Sequence, residues 1–150
     1  MGEKLVCSNK KARHDYHIGE TFEAGMVLTG SEVKSMRDGN CQLKDSYIDI
    51  NRGELFLIGA HVSPYFASSY NNHEPERKRK LLMHRLEISK LDSKVREKGL
   101  SLIPLRIYFK KGRAKIEIAL AKGKKAHDKR DTIKKRDALR EVSQQIKRSR

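Results

Sequence analysis

The sequence predicts a mainly β fold: an OB-like closed antiparallel barrel with peripheral helices, followed by a basic C-terminal tail that stays disordered until bound. Three observations lead there. Runs of alternating residues are joined through short connections that carry glycine. Two helical stretches interrupt these runs. A step in charge falls at Lys122, beyond which apolar side chains become scarce. An SH3-like barrel gives the same pattern of short strands, so periodicity alone leaves the barrel type open.

Met26 to Thr29, after Ala24-Gly25, reads as a strand. Ser31 is placed to cap a short helix that runs through Arg37 and stops at Asp38-Gly39. Tyr47 to Asn51 and Leu55 to Val62 form a strand pair through Arg52-Gly53-Glu54. Ser63 to Lys80 is a long polar connection that ends in Arg77-Lys78-Arg79-Lys80. His84 to Lys98 carries Ile88, Leu91 and Val95 at helical spacing, with Gly99 as its stop. From Leu100 to Phe109 the residues on both alternating faces are largely apolar, which suits a strand buried on two sides. Lys110-Lys111-Gly112-Arg113 then turns the chain into a last strand marked by Ile116, Ile118 and Leu120. There is no internal repeat.

The chain divides at that step into a barrel over residues 1–121 and a tail over 122–150. The tail holds twelve Lys/Arg against four Asp/Glu, a net +8 in 29 residues. Its candidate apolar contacts are Ile133, Ala138, Leu139, Val142 and Ile146, of which the last four share one narrow helical face. Burying so few side chains does not offset backbone ordering at about 1–2 kcal/mol per residue. The tail is therefore expected to be disordered alone and helical against an anionic partner.

The whole chain has 34 Lys+Arg, 19 Asp+Glu and a net charge of +15 on 150 residues. Such a surplus attracts a polyphosphate and displaces its counterions, so RNA is the expected partner. With no Trp, and with Tyr16, Tyr65, Phe66 and Tyr70 as the loosest stacking candidates, folded RNA is favoured over a single strand. No apolar run approaches the roughly 20 residues of a membrane span. Met1 to Lys10 lacks the apolar stretch of a secretory signal. With Cys7 and Cys41 as isolated thiols, the reading is a soluble cytoplasmic protein with reduced cysteines.

Catalytic signals are weak, and no enzymatic activity is expected. His14 and His17 stand three apart without a CxxC pair, so no metal site is predicted. Ala121-Lys122-Gly123-Lys124-Lys125 is half a phosphate loop, lacking the first glycine and the Ser/Thr after the lysine. No GxSxG, HExxH or paired-carboxylate pattern occurs. A metal-free ribonuclease built on two of the six histidines stays open as a rival. The basic clusters carry more weight. Lys10-Lys11-Ala12-Arg13 is one, Lys34 and Arg37 lie a helical turn apart, and Arg77 to Lys80 sit in the predicted loop.

At these residues the chain resembles a known family. Asn9-Lys10-Lys11-Ala12-Arg13-His14-Asp15-Tyr16, Glu23-Ala24-Gly25 and Gly30-Ser31-Glu32-Val33-Lys34-Ser35-Met36-Arg37 are similar to the opening motifs of the SmpB family, bacterial proteins that bind tmRNA (SsrA RNA). Asn72-His73-Glu74-Pro75-Glu76-Arg77-Lys78-Arg79-Lys80-Leu81-Leu82-Met83-His84 resembles its central motif. Ala121 to Arg130, followed by Ile133-Lys134-Lys135-Arg136, resembles its tail motif. The resemblance spans about Asn9 to Arg140; beyond that the match is only to a basic, helix-compatible segment.

The resemblance implies an OB-type barrel, a tail unstructured until bound, and a role in trans-translation, the rescue of ribosomes stalled on messages without a stop codon. It implies that the barrel holds the tRNA-like part of tmRNA, while the tail enters the empty mRNA path at the small-subunit decoding centre. Elongation factor Tu with GTP is implied as co-carrier of alanyl-tmRNA, and the protein itself is expected to be a monomer without cofactor. The expected tmRNA contacts are Asn9, Lys10, Glu23, Lys34, Arg37, Arg79, Lys80 and Leu82. The expected decoding-centre residues are Gly123, Lys124, Lys125, His127, Asp128, Lys129 and Arg130. Asn9 can donate to and accept from a base edge or ribose hydroxyl. Glu23 can accept from a base amino group, or else pair with a neighbouring Lys or Arg. Leu81-Leu82 is expected to split, one inward and one outward.

Overall fold

The computed structural model describes residues 3–65 and 72–124. Nine strands and three helices follow one another as β1 (Lys4–Ser8), α1 (Ala12–Asp15), β2 (Tyr16–Met26), α2 (Gly30–Arg37), β3 (Cys41–Gln42), β4 (Tyr47–Asn51), β5 (Glu54–Ile58), β6 (His61–Val62), β7 (Arg79–Leu82), α3 (Arg85–Lys98), β8 (Ser101–Lys110) and β9 (Arg113–Gly123). Seven strands make one antiparallel sheet in the order β1-β8-β9-β2-β7-β5-β4, and β3 pairs with β6 in a second. Among the described residues no ladder joins the edge strands β1 and β4, so the expected closed barrel is not made by hydrogen bonds. β4 instead lies against β8, and α3 buries Ile88 and Leu91 in the core that the sheet encloses.

Both long hairpins turn as their glycines predict. Arg52-Gly53 (φ 52° and 75°) and Lys111-Gly112 (φ 53° and 76°) place two successive residues in the left-handed region. That is the geometry whose twist matches the flanking strands. α3 ends at Gly99, also left-handed at φ 61°. On β8 the consecutive burial of Leu102, Ile103, Pro104 and Leu105 has a simple cause. One face meets the main core, and the other meets a small apolar cluster in which Ala12 of α1 packs with Ile103, Leu105, Ala119 and Ala121.

Local details differ from the sequence reading. The strand expected at Met26 to Thr29 is not formed: β2 starts ten residues earlier at Tyr16 and ends at Met26, and Val27 to Thr29 lead into α2. A bulge between Ile18 and Thr21 interrupts the alternation of β2. At Gly19 the chain passes so close to β9 that a Cβ would lie 3.0 Å from the Leu120 carbonyl oxygen. The cap of α2 is Thr29, not Ser31. The Glu32 N–H donates to its hydroxyl at 3.4 Å, and the Thr29 N–H donates to the Glu32 carboxylate at 2.8 Å, a reciprocal capping box. Residues 79–82, half of them expected in a loop, form β7 between β2 and β5. Cys7 and Cys41 are free thiols.

Candidate nucleic-acid interface

The sheet register assembles a surface from residues far apart in sequence. Across β1, β8, β9, β2 and β7 the outward row reads Leu5, Tyr108, Lys115, Gly25, Leu82. Because strand side chains alternate faces, Arg106, Glu117 and Glu23 stand beside it on the same side. The inner row between them, Ile107, Ile116 and Ala24, is buried. Leu81 and Leu82 split as expected: Leu81 is 1% exposed in the core and Leu82 53% exposed on the outer row.

Glu23 is held on this face. The Tyr108 hydroxyl donates to its Oε2, and the Lys110 ammonium lies 3.7 Å from the same oxygen. The hydroxyl bond is the main reason the Glu23 carboxyl sits below its ordinary pKa; partial burial opposes it, and Lys110 and Lys115 add to the lowering. Tyr108 is itself anchored, with the Arg106 guanidinium 4.3 Å from its ring centre. Arg106 donates to Glu3 at 2.9 Å and to Glu117 at 3.2 Å. Glu23 thus has an internal cation and still presents an ionised, part-exposed carboxylate.

The remaining expected contacts lie in separate places. Asn9 continues the line of β1: its backbone N–H donates to Leu105 O at 2.7 Å, and its side-chain amide donates to Pro104 O at 3.0 Å. With Lys10, Lys11 and Lys44 it lines a cleft of about 380 Å³. Lys34 and Arg37 of α2 lie over the rings of Tyr65 and Phe109 at 5.6 Å and 5.7 Å. Lys80 is exposed and lies 3.4 Å from Glu54. At the end of β9, Gly123 pairs with Tyr16. Lys124 donates from its N–H to Asp15 O at 2.8 Å and from Nζ to Arg13 O at 3.0 Å. Lys125, His127, Asp128, Lys129 and Arg130 lie outside the described residues, as does the expected disorder of the tail.

One expected contact is corrected. Arg79 is fully buried, so its guanidinium offers nothing to a phosphate. It donates to the Glu32 carboxylate, to Ala60 O at 2.8 Å and to Pro75 O at 2.9 Å. Arg77 reaches the other Glu32 oxygen at 2.6 Å. Burial pushes the Glu32 carboxyl up, but the bonds from Arg77, the Thr29 N–H and Arg79 outweigh it and hold the pKa at about 2. The cluster fastens α2 to β7 rather than binding a ligand.

No local motif marks Tyr108, Lys110 or Lys115 as site residues. The alternation of β8 and β9 places Arg106, Tyr108, Lys115 and Glu117 on one face, and that was the available signal. Among the described residues, no group of three or more His, Cys, Asp or Glu is arranged to hold a metal ion, and no helix is long and apolar enough to cross a membrane.

The family model described as SmpB protein matches residues 6–148. The chain belongs to the SmpB family. The SsrA-binding protein of Geobacter sulfurreducens is 58% identical over 147 residues, 98% of this chain and 96% of the relative. That of Desulforudis audaxviator is 63% identical over 141 residues, 94% and 92% of the two chains. A chain in a solved structure described as "tmRNA-SmpB: a journey to the center of the bacterial ribosome" matches with a TM-score of 0.67 and 50% identity, covering 80% of this chain and 85% of its own.

Proposed function

We propose that the chain binds tmRNA (SsrA RNA) and acts in trans-translation on stalled ribosomes as a binding protein without catalysis of its own. The observation that carries this reading is near full-length identity to proteins named for binding SsrA. It gains support from the exposed face that carries Glu23 and Leu82 together, a carboxylate and an apolar side chain suited to one RNA surface. The sheet wraps its core as an OB-type barrel, and its outer face holds the tRNA-like domain. Asn9 with Lys10, and Lys34 with Arg37, extend the contact along the RNA backbone, with Lys80 beside them.

Residues 122–150 act as a second functional part. Gly123, Lys124, Lys125 and His127 to Arg130 enter the vacant mRNA path and the decoding centre, where the net +8 charge meets ribosomal RNA. Elongation factor Tu with GTP carries alanyl-tmRNA alongside a monomer of this protein in the cytoplasm. The test is a gel shift with the tRNA-like domain of tmRNA and, separately, with ordinary tRNA at moderate salt. Preferential retention of the tRNA-like domain, with no new RNA ends, is expected. Equal affinity for both, or cleavage of either, overturns the reading.

A further inference from the structure

Cys7 and Cys41 lie far apart in sequence and in contact in space. A bulge between Leu5 and Cys7 sets Cys7 opposite Ile107. Ile107 is buried, so Cys7 faces inward with it and packs against the main core. Cys41 is buried on β3 opposite Val62. β1 is the edge of the seven-stranded sheet, and β3 belongs to the other sheet. The two strands touch, but no ladder among the described residues joins them. Across this seam the Cys41 thiol donates to the Cys7 sulfur, and nearby the Lys4 ammonium donates to Arg37 O at 3.5 Å.

The two thiols differ in reactivity. The hydrogen bond from Cys41 holds Cys7 below the ordinary thiol pKa; partial burial opposes it, and the Ile107 N–H adds to the lowering. Cys41 moves the other way, because its bond to Cys7 and its burial push its thiol up. The thiolate is the nucleophile, and a buried neutral thiol is inert, so Cys7 is the one that reacts first. It is half-buried, and the cleft of about 380 Å³ beside Lys10, Lys11 and Lys44 opens onto Cys41. A small solute therefore reaches the pair. No third His, Cys, Asp or Glu joins it to make a metal site among the described residues.

We infer that Cys7 and Cys41 are a reversible redox pair, oxidised by a hydroperoxide to a disulfide that fastens the β1 edge to the second sheet. The Cys7 thiolate attacks one peroxide oxygen. An S–O bond forms, the O–O bond breaks, and hydroxide leaves, giving a sulfenic acid. Cys41 then attacks the Cys7 sulfur. The S–S bond forms as the S–O bond breaks, and the Cys41 proton leaves with the hydroxide as water. The two sulfurs together lose two electrons, and the peroxide gains them. A thiol reductant reverses the bond by exchange, so under reducing conditions the pair rests as the dithiol. The inference does not depend on the proposed tmRNA binding.

The experiment uses the full chain, reduced, exposed to hydrogen peroxide and then blocked with N-ethylmaleimide. Intact mass should show the loss of two hydrogens and no maleimide adduct. A non-reducing tryptic map should join the Cys7 and Cys41 peptides, and dithiothreitol should restore both thiols. Cys41→Ala removes the second thiol, so dimedone should trap Cys7 as the sulfenic acid. Cys7→Ala should react with peroxide at least roughly ten-fold more slowly, because the thiol left behind is buried and neutral. The urea midpoint of the wild-type chain should rise on oxidation and return with reductant, since the bond constrains the unfolded chain. Neither single variant should show that shift.

Two thiols still alkylated after peroxide overturn the redox pair, as do disulfide-linked dimers or Cys7 driven to sulfinic acid in place of the internal bond. These readings come from the wild-type chain and hold whether or not the variants fold. Equal reaction rates of the two single variants overturn Cys7 as the attacking group. An internal bond that leaves the urea midpoint unchanged, or lowers it, overturns the fastening of β1.

Discussion

Arg79 and Glu32 form an ion pair in which both side chains are shut off from solvent. Glu32 also caps the N-terminus of α2 through the Thr29 N–H, so one carboxylate ties the helix start, β7 and the segment before it together. No buried side-chain polar atom of the described residues lacks a hydrogen-bond partner. Breaking a buried pair by removing one partner leaves an uncompensated charge, at a cost of about 3–5 kcal/mol. Arg79→Ala should therefore lower urea-unfolding stability by that amount. A decrease below about 1 kcal/mol would mean that the pair does not hold the fold.

The same carboxylate sets a pH dependence. Its folded pKa of about 2 lies below the ordinary 4.5. The folded state therefore binds the proton less readily than the unfolded chain does. The stabilisation is fully present above about pH 4.5 and is lost as pH falls through that window toward 2. Urea midpoints measured from about pH 7 to about pH 3 should fall below about pH 4.5, and Glu32→Gln should flatten that part of the curve. An identical acid limb in the variant would place the effect on other carboxylates.

The adjacent leucines of β7 should separate folding from binding. Leu81 is in the core and Leu82 on the outer row. Leu81→Ala should cost about 2–5 kcal/mol in stability, as core truncations do. Leu82→Ala should change stability by within about 0.5 kcal/mol while weakening tmRNA binding. Melting curves and gel shifts on both variants check this, and the reverse pattern would mean that Leu82 is a packing residue.

The long periodic elements were legible in the sequence because their signals are local. Ile88, Leu91 and Val95 at helical spacing, with Gly99 behind them, suffice to place α3. Lys111-Gly112 suffices to turn β8 into β9. β2 was not legible: the bulge at Ile18 to Thr21 breaks its alternation, and the strand expected at Met26 to Thr29 shares only Met26 with it. β7 was hidden for a different reason. Arg79 reads as a polar loop residue, and its burial depends on Glu32, 47 positions away. The same applies to the interface: Glu23 and Leu82 came from the family resemblance, whereas Tyr108 looked like one more apolar strand residue. Its hydroxyl acquires a partner only through the joint register of β8, β9 and β2.

Salt dependence should distinguish surface lysines from the buried arginine. Lys10 is exposed at the end of β1, and Lys34 projects from α2. Removing a cation that neutralises one phosphate should reduce the log–log salt slope by about 0.7–0.9. Lys10→Ala and Lys34→Ala should each flatten the slope without altering the melting temperature. Unchanged slopes in both variants would place the RNA on another face.

β9 continues past Ala121 to Gly123, which pairs with Tyr16, and the Lys124 N–H closes onto Asp15 O at 2.8 Å. A chain ending at Ala121 would cut these bonds at the edge of the small cluster around Ala12, Ile103 and Ala121. A chain ending at Lys124 keeps them. The Lys124 truncation should therefore melt as the full chain does and bind the tRNA-like domain nearly as tightly, since the outer face is untouched. It should fail to support alanine transfer on a ribosome stalled at a message end. Ten of the tail's twelve Lys/Arg lie beyond Lys124, and they are the charges that would enter the vacant mRNA path. A message that fills that path should block the full chain by the same overlap. Transfer at the full-length rate by the truncated chain would separate the tail from ribosome rescue, and failure to bind the RNA would place part of the tmRNA contact beyond Lys124.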